Sequence, residues 1–134
     1  MPSNVVVARW QDWHGQGLEH CVCQRDEGGM RLEGVVAGTR HGLYGGHYFV
    51  RTDAALCTRE VRLHYVDGPR LHVESDGQGQ WHDAIANRPL PALRGCMDVD
   101  IGITPATNML PIQRLKLARN ERREIAAAYV PLPD

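Results

Sequence analysis

The sequence predicts a mostly β fold, a single domain spanning residues 1–134 and built as an antiparallel meander. Three observations carry this reading. Strand-like runs separated by turn residues recur about every eight to twelve residues. In the best of these runs apolar and polar side chains alternate with the period of two that a half-buried strand requires. Helical signals are sparse. At 134 residues the chain can bury roughly two thirds of the surface that its unfolded form exposes, so a core needs neither disulfides nor metal.

The elements follow in order. Residues 18–25 form a strand that ends in the polar turn Asp26-Glu27-Gly28-Gly29. Residues 30–37 return and run into a glycine-rich loop from Gly38 to Gly46. Strands over 47–52 and 58–66 come next. The turn Asp67-Gly68-Pro69 leads to a strand over 70–75. Asp76-Gly77-Gln78-Gly79 turns again before Gln80-Trp81-His82. Residues 87–93 carry Pro89 and Pro91 and cannot form a central strand. Residues 98–103, 109–117 and 124–130 are the last three expected strands.

The clearest hairpin joins 58–66 to 70–75. Val61, Leu63 and Tyr65 alternate with Glu60, Arg62 and His64, and Leu71 and Val73 alternate with Arg70, His72 and Glu74. A three-residue loop at Asp67-Gly68-Pro69 sets Leu63 opposite Val73, His64 opposite His72, and Arg62 opposite Glu74, an opposite-charge pair worth about 0.2–1 kcal/mol. Residues 115–128 are rich in Ala, Arg and Glu and could form a helix on propensity. The reading preferred here is a hairpin of two strands around Asn120.

Composition narrows the function classes. A formal net charge of -1 argues against a nucleic-acid partner, which would need a basic stripe. No apolar run reaches the length of a membrane span, and the first residues do not resemble a signal peptide; the expectation is a cytoplasmic protein. Cys21, Cys23, Cys57 and Cys96 lack paired zinc spacing and read as thiols. No cofactor motif and no metal site is expected. His64 and His72 could chelate a metal across a hairpin, but polar-face positions account for them equally well.

The run from Gly95 to Leu115 is densest in groups that need specific partners. Asp98, Asp100, Thr107, Asn108 and Arg114 are the candidate ligand-binding residues, with Trp81 as an aromatic wall. Trp10 and Trp13 could likewise stack on a sugar ring. Asp98 and Asp100 share a face of a strand and could serve as a general acid and base on a sugar. The bland alternative is that the carboxylates accept bonds from Arg114 and the following turn. A Thr104-Pro105-Ala106-Thr107-Asn108 turn would separate two strands.

Arg9-Trp10, Gly17-Leu18-Glu19-His20-Cys21, Gly34, Tyr48-Phe49-Val50, Asp53, Thr58-Arg59-Glu60-Val61 and Asp76-Gly77-Gln78-Gly79-Gln80-Trp81 carry a resemblance. The long block from Gly95-Cys96-Met97-Asp98-Val99-Asp100 through Thr104-Pro105-Ala106-Thr107-Asn108 to Leu115 completes it. Together they resemble a family of bacterial proteins of unknown function named for glycolipid binding. The chain departs from that pattern at Ala106, where an aromatic is usual, at Gln113, where arginine is usual, and near Leu56, where tryptophan is usual. Family members also run on past Tyr129-Val130-Pro131 by several strands, so the resemblance implies a short member or one lacking its closing strands.

The resemblance implies a highly curved antiparallel sheet, a spiral β-roll or open half-barrel, and with it lipid or glycolipid binding; the leading expectation is noncatalytic binding of a lipid-like or glycolipid-like small molecule in the concave face. Asp98, Asp100, Asn108 and Arg114 would orient the polar head. Two alternatives stand beside this expectation. One is an enzyme acting on a sugar-containing substrate through Asp98 and Asp100. The other is an interaction module whose open sheet edge pairs with a second copy to give a homodimer.

Overall fold

The structure, a computed structural model, describes residues 4–12, 14–39 and 42–131. Eight strands form one antiparallel sheet in chain order: β1 (Asn4–Gln11), β2 (Leu18–Asp26), β3 (Gly29–Gly38), β4 (Tyr44–Thr52), β5 (Thr58–Tyr65), β6 (Arg70–Ser75), β7 (Trp81–Asp83) and β8 (Arg88–Pro89). Each strand pairs only with its sequence neighbours, so the curved sheet is an open meander with β1 and β8 at its edges. Pro89 sits in the short edge strand, where its missing N–H costs no ladder bond. A second sheet pairs β9 (Asp98–Ile101) with β10 (Ala127–Val130) in parallel. The connection between them carries α1 (Met109–Leu115), because parallel strands need a crossover.

One face of the large sheet is apolar. Leu32, Tyr48, Val50, Val61, Leu63, Tyr65, Val73 and Trp81 point to it and form one buried cluster with Val99, Ile101, Leu110, Ala128 and Val130. The small sheet and α1 therefore cap the inner face over its middle and later strands.

Tyrosines lie across glycines within this face. In the β3–β4 ladder Gly34 pairs with Tyr48 and Gly38 with Tyr44. A Cβ on Gly34 would come within 2.5 Å of the Tyr48 ring, and one on Gly38 would overlap the Tyr44 ring. Each ring therefore covers the backbone of the opposing strand, a packing that only glycine permits.

Four features depart from expectation. The β5–β6 hairpin is shifted: Leu63 lies opposite Leu71, Arg62 opposite His72, His64 opposite Arg70, and Glu60 opposite Glu74. The loop is Val66-Asp67-Gly68, one residue earlier than expected, with Asp67 at φ 51° and Tyr65 N–H donating to the Pro69 carbonyl at 3.1 Å. Pro69 takes part through the one backbone group that it can offer a partner strand. The register moves by two, so apolar still meets apolar.

The expected strand over 109–117 is a helix, and the hairpin around Asn120 is not formed. Pro111 lies in the first turn of α1, where proline is tolerated. Lys116 closes the helix in the left-handed conformation, φ 52°, while Leu117 N–H reaches the Ile112 carbonyl at 3.2 Å, the Schellman pattern. β10 pairs in parallel with β9 rather than with the 109–117 segment. Finally, β1 was not among the expected strands.

Candidate functional site

The expected site residues fall into two groups. Asp98 is fully buried on β9 and receives both arms of the Arg114 guanidinium, Nε to Oδ1 at 3.0 Å and an Nη to Oδ2 at 2.8 Å. The Asp98 carboxylate, through its hydrogen bonds, raises the Arg114 pKa. Thr107 is buried and its hydroxyl accepts the Ile101 N–H at 3.2 Å. Trp81 is buried and donates its indole N–H to the Cys96 carbonyl at 2.9 Å. These four tie β7, β9 and α1 together from within. Asp100 is half-buried and Asn108 exposed, beside them in the chain.

A cleft of about 540 Å³ opens elsewhere on the inner face, at one end of β1–β4. Trp10, Leu18, Glu19, Val36, Gly38 and Tyr44 line it from the sheet, and Gly102, Ile103 and Pro105 from the segment after β9. Most of this lining is apolar, and the volume suits a small-molecule site. None of the six expected ligand-binding residues is among the described lining residues. Trp10 does line it, 38% exposed; Trp13, the other tryptophan considered, lies outside the described residues.

Glu19 is the buried polar group of this cleft, 4% exposed. On β2 it stands in phase with Cys21 and Cys23, and so on the inner face. The Tyr48 hydroxyl donates to Glu19 Oε2. The Thr104 hydroxyl donates to the same oxygen at 2.6 Å, and accepts the Ala106 N–H at 3.0 Å. Burial first, then the neighbouring Cys21 and Glu19, push the Tyr48 phenol well above its usual range, so it stays a donor. Burial likewise pushes the Cys21 thiol up. Glu19, Gly34, Tyr48 and Thr104 lie far apart in the sequence, and no spacing joins them. A glutamate in the inward phase of β2 was the available signal.

The outer face carries a second polar cluster. Glu60 on β5, 8% exposed, accepts from Arg62 Nε at 2.8 Å and lies 2.9 Å from His72 Nε2. Glu74 lies 3.5 Å from His72. Glu60, His72 and Glu74 are the described residues close enough to share a metal ion; Arg62 already neutralises Glu60. The expected His64–His72 pairing does not form, since His64 faces Arg70.

An open, curved antiparallel sheet with a partly capped inner face and an apolar cleft beside the cap defines a β-roll with room for a small molecule. The family described as "Putative glycolipid-binding" matches residues 7–134, and the chain belongs to that family. A crystal structure of a DUF1089 family protein from Pseudomonas aeruginosa is similar at a TM-score of 0.60 and 32% identity, over 99% of this chain and 65% of that one. The chain thus spans less than two thirds of that relative's length. No curated protein matches. No helix among the described residues is long and apolar enough to cross a membrane.

Proposed function

We propose that the protein binds an amphiphile without transforming it, the apolar part of the ligand lying in the cleft between β1–β4 and the Gly102–Pro105 segment. The observation that carries this reading is the cleft itself, an apolar space beside a packed core, with an exposed indole at its mouth and a carboxylate in its wall. Each methylene buried there would contribute about 0.8 kcal/mol, so a chain of moderate length supplies the affinity. The family name points the same way.

In this reading Asp98, Arg114, Thr107 and Trp81 serve the ligand indirectly. Their partners are one another and the backbone, and they hold in place the segment from which Gly102, Ile103 and Pro105 face the cleft. Glu19 replaces them as the group nearest a polar head. An acid–base pair of Asp98 with Asp100 is disfavoured because both Asp98 oxygens are engaged by Arg114.

Native mass spectrometry of the purified chain tests the proposal. It should show a co-purifying amphiphile, or one-to-one adducts with added alkyl glycosides or fatty alcohols. A clean spectrum together with no adduct from such a panel would contradict it. Trp10→Ala, on an exposed part of an edge strand, should weaken the adduct while leaving the fold intact.

A second reading, self-association, is favoured by β1. This edge strand has no partner on its outer side among the described residues, and Val5, Val6 and Val7 are each more than half exposed. Such an edge is a template for another strand. Sedimentation should then show a concentration-dependent dimer that Val6→Lys abolishes; a strict monomer removes this reading.

A further inference from the structure

We propose that the cleft selects an uncharged, hydroxylated head group, with Glu19 Oε1 as its acceptor, and turns away amphiphiles whose head is a carboxylate or a phosphate. The proposal rests on the amphiphile-binding reading above and adds to it the chemistry of the head.

The argument starts from the carboxylate. Tyr48 and Thr104 both donate to Oε2, and among the described residues no donor is found for Oε1. Glu19 is 4% exposed and lines the cleft. Oε1 is not among the enclosed polar atoms that lack a partner, so it is open to the cleft, and a guest that supplies an O–H at this point keeps it bonded when water leaves, which an apolar guest cannot do. An anionic head would instead bring a second negative charge to a desolvated carboxylate.

The rest of the lining agrees. Asp12 lines the same cleft, and its carboxyl is held below the usual carboxylate range: burial raises it, but backbone N–H groups from Gln16, Gly17 and Gly15 outweigh that. No lysine or arginine is among the described lining residues. An anionic head therefore meets the carboxylates of Glu19 and Asp12, with the His14 imidazole beside Asp12 as the one described lining group able to carry positive charge. Gln11 and Thr39 also line the cleft and offer donors and acceptors together. A sugar or glycerol head uses both kinds of partner. The Trp10 ring adds a flat apolar face of the sort that covers the C–H side of a sugar.

Isothermal titration of the full chain with three dodecyl amphiphiles, each below its critical micelle concentration, tests this. Dodecyl maltoside should bind at least about tenfold more tightly than dodecanoate or dodecyl phosphate. Glu19→Gln keeps an acceptor for Tyr48 and Thr104 and removes the charge, and should narrow the gap between maltoside and dodecanoate by about tenfold. If that variant misfolds, the three-head comparison on the unsubstituted protein decides alone. Equal affinity for all three heads overturns the selectivity and leaves chain binding standing. Binding of none overturns both.

Discussion

Asp98 is a carboxylate held wholly inside a protein, and its neighbours explain how. Arg114 meets it with two parallel N–H bonds in the geometry that best repays desolvation. Removing one partner leaves the other charge unmatched, so Asp98→Ala should cost about 3–5 kcal/mol in urea unfolding. Asp98→Asn should also destabilise, by less. A loss below about 1 kcal/mol for the alanine variant would mean that the pair is hydrated and mobile.

Glu60 makes a different prediction. Burial raises its pKa, but hydrogen bonds from Arg62 and His72 win and hold it below the ordinary glutamate range. A carboxyl depressed in the folded state stabilises the fold above its unfolded pKa and loses that contribution as pH falls through the folded one. Stability should therefore decline below about pH 4.5, and Glu60→Gln should flatten that decline in unfolding curves taken between pH 3 and 7. An unchanged acid limb would show that the Arg62 and His72 bonds do not survive in solution.

At the scale of elements, the β3–β4 ladder sets up the candidate site. Gly34 lets the Tyr48 ring lie across β3 and bring its hydroxyl to Glu19 on β2. Gly34→Ala should displace the ring and destabilise by about 1–3 kcal/mol, the usual cost of overpacking. The loss should be smaller in a Tyr48→Ala background, where the ring is gone; an equal loss in both backgrounds would place its cause in the backbone.

These elements also show which parts of the fold were legible. β2 to β6 were readable because one face is buried and the other wet, which writes itself as alternation. β1 was not, because Val5-Val6-Val7 has no alternation and both its faces are exposed. α1 was not, because seven residues containing Pro111 give too few turns for a helical period, and its end uses Lys116 rather than glycine in the left-handed position. The β5–β6 register was missed because Asp67, not glycine, takes the positive φ.

At the scale of the whole molecule, the inner face is divided. Over β5–β7 it is filled by Tyr65, Trp81 and the small sheet, and there the protein is a scaffold. At one end of β1–β4 it stays open beside Trp10, Glu19 and Ile103. The Asp98–Arg114 contact was legible as a pairing because both residues lie within one dense run. The Glu19 site was not, because it joins β2, β4 and the segment after β9, with Thr104 standing 85 residues from Glu19. Only the packing of distant elements creates it.

Chemical-shift mapping places a ligand without assuming which residues hold it. The isotopically labelled chain would be titrated with dodecyl maltoside below its micelle concentration. The account predicts saturable shifts concentrated at Trp10, Glu19, Val36, Tyr44 and Ile103, with Asp98 and Arg114 little changed. Shifts centred on Asp100, Asn108 and Arg114, or none at saturation, would contradict it.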